Sequence, residues 1–212
     1  MPTVSIILPT FNRVRYLRLA IDSVFAQTFA DWEMILADDG STHDTRAYLR
    51  SLVDPRVRTI WLSHSGNPSF VRNTAIRAAT GHYLAFLDSD DAWVPKKLER
   101  QIQVHRDQPD RRWSYTRCDL IDEHGRPIVD EALSRCMLPE GWILEALLSN
   151  LKNQMAMASV VADRDLVDEV GGFDEHQRWC EDFDLFLRLA MRSQVAAVDD
   201  PMCSIRNHRE HY

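Results

Sequence analysis

Short apolar runs alternate with helix-like segments between residues 4 and 91, and this alternation is the strongest constraint on the fold. Periodicity predicts strands at 4–8, 33–37, 57–62 and 83–87, and helices at 15–27, from Ser41 or Thr42 to about Leu52, and from Pro68 to a C-terminal glycine at Gly81. Asn67 and Pro68 have the order of an N-cap followed by a first-turn proline. The all-apolar character of the fourth strand is typical of burial on both faces. We therefore predict an α/β fold with a mostly parallel sheet between helices.

The second part of the chain is less regular and contains no repeat, low-complexity tract or flexible linker. Helices are predicted at 95–106, 140–148 and 182–191, extended segments at 113–118, 155–161 and 195–198, and a turn at 122–127. The 212 residues, 45% of them hydrophobic, suffice for one core. We predict a single domain over residues 1–212, with a change of pattern near residue 92 and no flexible hinge there.

The formal net charge of −7 is concentrated in one segment. Nine acidic residues stand against two basic ones between Asp163 and Asp184, which accounts for the whole excess. No basic patch of the kind that binds nucleic acid is present, which disfavours polyanion binding as the main function. The acidic segment is either a solvated helix face or a source of catalytic carboxylates.

Cysteine usage and hydropathy indicate a cytoplasmic protein. No apolar run approaches the roughly 20 residues that span a bilayer, and the N-terminus lacks a signal-peptide pattern. The four cysteines lie far apart without a C-x-x-C pair: Cys118, Cys136, Cys180 and Cys203. They predict reduced thiols, not a disulfide framework or a zinc site.

Polar residues follow three of the predicted strands, at 9–13, 38–41 and 88–91. Ligands of open parallel sheets bind beyond the carboxyl ends of the strands, so these groups are expected at one rim. Three carboxylates within 88–91 repel one another, which favours a divalent cation over a simple Asx-rich turn. A carboxylate at 38–41 either caps a turn and helix or accepts hydrogen bonds from a base or ribose. Arg72 either meets an anion or is a surface charge.

These motifs resemble the family 2 glycosyltransferases, which have the GT-A fold. The matching segments are 4–13, 38–41, 71–73, 81–91 with Trp93 and Pro95, 171–175 and 181–184. They keep the order and approximate spacing of the family over residues 3–192. Val71 and Ala75 depart from it, since alanine and glycine are usual there. The resemblance implies a Rossmann-like, three-layer α/β/α sandwich with a mostly parallel central sheet. It also implies a nucleotide-sugar-binding half at about 1–91 and an acceptor-binding half at about 92–212.

The resemblance also implies roles on the nucleotide side. Pro9, Thr10 and Asn12 would line the nucleotide pocket. Asp39 would hydrogen-bond the base, most often uracil, and Arg72 would lie against the nucleotide.

Further roles follow from the later motifs. Asp88-Ser89-Asp90 matches the D-x-D motif of the family, in which Asp90 would bind the metal and Asp88 the ribose or sugar diphosphate, with Ser89 between them. Asp182 matches the general base, although the helix macrodipole alone would also favour a carboxylate there. His208 would be a metal ligand or phosphate contact, or else incidental.

The function implied is transfer of a hexose from a nucleotide-diphosphate sugar, most often a UDP-sugar, to an acceptor hydroxyl with inversion and with Mn²⁺ or Mg²⁺. The acceptor would be a saccharide or lipid-linked saccharide in cell-surface polysaccharide or lipopolysaccharide synthesis. The protein would work in the cytoplasm, with room for peripheral association at the inner face of a membrane. One alternative is a catalytically weak nucleotide-sugar-binding module. Another is a phosphotransferase, whose Asp-x-Asp usually follows the first strand, which here ends in Pro9 and Thr10.

Overall fold

A β-sheet flanked by helices forms the centre of the structure. The structure is a computed structural model that describes residues 1–129, 138–149 and 155–208. The strands are β1 (Val4–Thr10), β2 (Trp32–Asp38), β3 (Val57–Trp61), β4 (Tyr83–Phe86), β5 (Ala92–Trp93), β6 (Trp113–Ile121), β7 (Pro127–Ile128), β8 (Val161–Asp163) and β9 (Val195–Arg206). The helices are α1 (Val14–Phe25), α2 (His43–Ser51), α3 (Pro68–Ala78), α4 (Lys97–Asp107), α5 (Leu144–Ser149), α6 (Arg164–Glu169) and α7 (Glu181–Ala190).

Within the described residues the strand order is β3-β2-β1-β4-β8-β6-β9-β5, and β7 pairs with β6. The first four strands along the chain are parallel to one another, as predicted. The second part of the chain adds antiparallel pairs, β8 with β4 and β6, and β5 with β9. The α/β fold is confirmed, and its sheet is mixed. The carboxyl ends of β1, β2 and β4 lie at one edge of the sheet.

Two apolar layers pack on the two faces of this sheet. Successive strand residues face opposite layers: Ile7 lies with Ile35 in one, and Ile6 with Met34 in the other. Helices α3 and α7 cover the first layer, and helices α1 and α4 cover the second. Burial on both faces explains the continuous apolar runs in β1, β2 and β4.

The start of α3 was predicted correctly, but its end was not. The Asn67 side chain caps the helix by accepting a hydrogen bond from Phe70 N at 3.2 Å, and Pro68 is the first helical residue. The helix ends at Ala78, so Gly81 is not its C-terminal cap. A Cβ at Gly81 would come within 2.6 Å of Ser5 N. Glycine is needed there because the chain passes against β1.

Two other predictions need correction. Residues 155–161 are not extended throughout, because Met157–Ser159 form a 3-10 turn in which Ser159 N donates to Ala156 O at 2.9 Å. The helix predicted at 140–148 begins only at Leu144. Apolar residues in so short a segment do not distinguish a helix from a strand.

The cysteines that the structure describes are free thiols, as predicted: Cys118, Cys180 and Cys203. Cys136 lies outside the described residues. Across those described, no helix is long and apolar enough to cross a membrane.

Candidate active site

A pocket of about 210 Å³ lies at the carboxyl ends of β1 and β4, beside the first turns of α3 and α7. Its lining residues are Pro9, Arg13, Pro68, Arg72, Asp88, Ser89, Asp90 and Glu181. Five of the residues expected in the nucleotide or metal site are among them. These side chains therefore lie together at one rim of the sheet, as predicted from their positions at the ends of strands.

Arg72 joins the two parts of the pocket. Its Nη2 donates to Asp88 Oδ1 at 2.7 Å, and its Nη1 lies 3.0 Å from Glu181 Oε1 and 3.3 Å from Asp182 Oδ1. The Arg72 side chain is only 8% exposed. Burial alone would lower the pKa of Arg72, but the charges of Asp182, Asp88 and Glu181 outweigh it and raise the pKa. Arg72 is therefore a permanent cation that links the end of β4 to the start of α7.

Asp182 lies in the first turn of α7 and is half-buried. Burial raises the pKa of this carboxyl from its ordinary 3.8 to about 6; Arg72 opposes the rise, while Asp88 and Glu181 add to it. Among the described residues, Asp182 Oδ1 accepts no hydrogen bond, although Arg72 Nη1 is 3.3 Å away. A half-buried carboxylate with an unused acceptor and a pKa near 6 can take a proton from a bound hydroxyl.

Asp90 contacts side chains from both ends of the chain. Its Oδ2 accepts from Arg13 Nη1 at 2.5 Å and lies 2.8 Å from His208 Nε2. Arg206, at the end of β9, donates from Nε to Asp90 O and from its backbone N to Asp91 Oδ1, each at 2.9 Å. The structure thus brings the predicted metal residues Asp90 and His208 together. It also adds Arg206, which stands with His208 in a C-terminal stretch that partly resembles an Arg-x-His pair of the family, and Arg13, for which the sequence offered no signal beyond its position in the first motif.

The donor types here suit Mn²⁺ or Mg²⁺, and each of the two carboxylates is paired with an arginine. Carboxylate oxygens of Asp88 and Asp90 are ligands that such ions prefer. Yet in the part of the chain that the structure describes, no three His, Cys, Asp or Glu side chains are placed to hold a metal ion. Asp88 is turned towards Arg72, and Asp90 towards Arg13 and His208. Arginines supply much of the countercharge for which the sequence suggested a divalent cation.

Asp39 holds the loop that follows β3. Its carboxylate accepts from Ser65 N and Oγ at 2.8 Å and from Gly66 N at 3.0 Å, and His64 Nδ1 is 2.9 Å away. Gly40 has φ +78°, and a Cβ there would come within 2.6 Å of His64 N. Contact between Asp39 and a nucleotide base stays a prediction; the contact that the structure describes is with this loop.

Two polar side chains at the end of β1, those of Asn12 and Thr10, differ in their hydrogen bonding. Asn12, at φ 48°, accepts from Thr42 N at 2.6 Å and so ties the end of β1 to the residue that precedes helix α2. The buried Thr10 hydroxyl has no hydrogen-bond partner within the described residues. Phe11 stacks on His64 with ring centroids 4.0 Å apart, an aromatic pair beside Asp39 that the sequence analysis missed.

A sequence-family model described as Glycosyl transferase family 2 matches residues 5–117, more than half of the chain. The chain belongs to this family. The predicted resemblance is therefore confirmed, and the residues described above are those of a family 2 glycosyltransferase domain.

Two relatives from Escherichia coli illustrate the family. One is WfgD, a UDP-Glc:alpha-D-GlcNAc-diphosphoundecaprenol beta-1,3-glucosyltransferase, 29% identical over 196 residues that cover 92% of this chain and 73% of the relative. The other is WfaP, with the same described activity, 37% identical over 102 residues that cover 48% of this chain and 41% of the relative.

The fold likeness is broader than the sequence likeness. The crystal structure of S. aureus TarS 1–349 in complex with UDP-GlcNAc matches with a TM-score of 0.81 at 20% identity, covering 99% of this chain and 60% of that one. The TarS 1–349 complex with UDP matches with a TM-score of 0.76 at 21% identity, covering 97% of this chain and 60% of that one. These matches confirm the GT-A fold. The chain spans only part of each of these proteins, about three quarters of WfgD, less than half of WfaP and 60% of TarS 1–349.

In this family 2 chain, the glycine-rich segment 171–175 packs against α3. Asn73 Nδ2 donates to Phe173 O at 2.8 Å and to Glu175 Oε1 at 2.9 Å, and Phe173 N donates back to Asn73 Oδ1. A Cβ at Gly172 would come within 2.8 Å of Asn73 Oδ1. The Phe173 ring lies 5.3 Å from the Arg72 guanidinium. Segment 171–175 and helix α3, about 100 residues apart in sequence, are therefore joined beside Arg72.

Proposed function

We propose that this chain transfers a hexose from a UDP-sugar to a hydroxyl of a saccharide or lipid-linked saccharide, with inversion, in cell-surface polysaccharide synthesis. One observation carries the proposal: Arg72 couples Asp88, at the end of a nucleotide-side strand, to Asp182, a carboxyl with a pKa near 6. The described activities of WfgD and WfaP, with UDP-glucose as donor and a GlcNAc-diphospholipid as acceptor, support this choice of substrates.

The reaction would be a single displacement at the anomeric carbon. Asp182 takes the proton of the acceptor hydroxyl while that oxygen attacks, the new glycosidic bond forms, and the bond to the nucleoside diphosphate breaks. Arg13 and Arg72 line the pocket and offer positive charge to the departing diphosphate. Mn²⁺ or Mg²⁺ stays a prediction, and the roles of these side chains do not depend on it.

The charge state of Asp182 predicts a pH dependence. The base must be ionised, so kcat should fall about tenfold per pH unit below about pH 6 and level off above it. The measurement is initial transfer rate at saturating substrates across the acid limb, with stability checked at each pH. A rate that is flat down to pH 5 would contradict assignment of Asp182 as the base.

Nucleotide selectivity is tested by thermal unfolding with UDP-glucose, GDP-mannose and dTDP-glucose, each with and without Mn²⁺. A ligand at 100 times its Kd stabilises the protein by about 2.7 kcal/mol, which raises Tm by roughly 5–10 °C for a chain of this size. We expect that shift for UDP-glucose and a smaller one for the others. Equal shifts, or none, would argue against a UDP-sugar donor.

Two variants refine this measurement. If Mn²⁺ binds at Asp90, Asp90→Ala should lose the part of the Tm shift that depends on Mn²⁺. Asp110→Ala, on an exposed turn, is the matched control and should keep the wild-type shift. An unchanged Mn²⁺ effect in Asp90→Ala would rule out this aspartate as the ligand.

A nucleotide-sugar-binding module without catalysis is the second candidate. It would need the pocket but not a base. The raised pKa and unused acceptor of Asp182 favour the enzyme. Transfer to an acceptor, as opposed to slow hydrolysis of UDP-glucose, distinguishes the two.

A further inference from the structure

Trp179 is the most exposed of the six tryptophans, with 82% of its surface accessible to solvent. Tryptophan is large and on average highly buried, so this exposure is unusual. Within the described residues, no aromatic ring or cationic group packs on its indole. Both faces of the indole ring therefore lack such a partner.

The backbone around Trp179 is held by hydrogen bonds. Gln177 Nε2 donates to Trp179 O at 2.8 Å, and Gln177 N donates to Asp174 O at 3.2 Å. Cys180 then takes a left-handed conformation, φ 57°, and turns the chain directly into α7. The indole is thus carried by a defined turn between the α3-bound segment and the helix that bears Asp182.

Trp179 lies close in sequence to the pocket and to the candidate base. Glu181, two residues later, lines the pocket, and Asp182 is three residues later. Three residues of extended chain span at most about 11 Å, so the Cα atoms of Trp179 and Asp182 are no further apart than that. No other exposed tryptophan is so close in sequence to the candidate base.

Carboxylates flank the turn in sequence: Asp174, Glu175, Glu181 and Asp182. Carboxylate oxygens accept hydrogen bonds, so they suit the hydroxyl groups of a sugar. A pyranose ring is neutral, and its C–H face can pack on an indole while its hydroxyls stay in contact with water or carboxylates.

We propose that Trp179 forms the acceptor subsite, with its indole stacked on a pyranose ring of the saccharide whose hydroxyl is deprotonated at Asp182. The inference rests on the proposed function and names the part of the substrate that this surface recognises. Trp179 orients the acceptor and takes no part in proton transfer.

The test compares Trp179→Ala and Trp179→Phe with a matched control, Trp142→Ala. Trp142 is 64% exposed and follows Gly141, which pairs with Val195 at the start of β9, the opposite end from His208. The assay is glucose transfer from UDP-glucose to α-D-GlcNAc diphosphate carrying a short alkyl chain. We expect acceptor KM to rise about tenfold in Trp179→Ala and two- to threefold in Trp179→Phe, with the KM for UDP-glucose unchanged; tenfold corresponds to about 1.4 kcal/mol.

A binding measurement keeps the proposal testable if Trp179→Ala does not fold. The same acceptor should quench tryptophan fluorescence in wild type and Trp142→Ala, but not in Trp179→Phe. An acceptor KM within twofold of wild type in Trp179→Ala, or quenching that persists in Trp179→Phe, overturns the subsite and leaves the transferase proposal intact. A wild-type chain that binds UDP-glucose but transfers nothing to this acceptor overturns the proposed substrates, and the subsite with them.

Discussion

Replacing Asp182 by asparagine is expected to lower kcat by about 10³-fold, within the range by which a positioned general base accelerates proton transfer. The amide is nearly isosteric but cannot take the acceptor proton. The KM for UDP-glucose should stay within about twofold, because the pocket side chains that face the nucleotide are untouched. The measurement is steady-state transfer kinetics together with a UDP-glucose titration.

The matched control is Asp184→Asn in the same helical turn. Asp184 pairs with Arg188 on α7, at 2.6 Å from Nη2, and lines a separate cavity beside segment 171–175. Its replacement should change kcat by less than about threefold, because Asp184 lies outside the pocket and an i,i+4 helix pair contributes little. If Asp182→Asn retained wild-type kcat, or if both variants lost it equally, Asp182 would not be the base.

Replacing Arg72 by methionine is expected to lower the free energy of unfolding by about 3 kcal/mol. Asp88, Glu181 and Asp182 would be left facing one another without their shared cation, and breaking a buried pair from one side costs that much. The expected loss is at the low end of the range for breaking a buried ion pair, because these carboxylates are partly solvated. The same change should raise the pKa of Asp182, because Arg72 lowers that pKa. The acid limb of the pH–rate profile should then move to higher pH.

Arg77→Met, one and a half turns further along α3, is the control for this substitution. Arg77 is 59% exposed, and its ion pair with Glu175 is long, at 3.7 Å. Its loss should therefore lower the free energy of unfolding by less than about 0.5 kcal/mol. Denaturant unfolding of both variants checks the difference. Equal stability of the two would show that Arg72 is not the charge that holds the carboxylates together.

Much of the fold could be predicted from local pattern. The apolar runs at β1, β2 and β4, the Asn67–Pro68 start of α3 and the apolar stripe of α7 all report on nearby residues. Local geometry determines the periodicity of buried positions, and this is why these elements lie close to their predicted bounds. The predictions for the second part of the chain were less accurate, because 155–161 and the start of α5 are short segments without a clear period of apolar residues.

The sequence by itself determined the α/β class, the rim at the strand ends and the family to which the chain belongs. Only the tertiary structure decided which charges meet there. Arg72 reaches Glu181 across 109 residues, and His208 reaches Asp90 across 118. No periodicity encodes such pairs, because they depend on how β4, α3, α7 and the end of β9 pack together. The physical reason is that a buried carboxylate needs a countercharge, and packing determines which side chain supplies it.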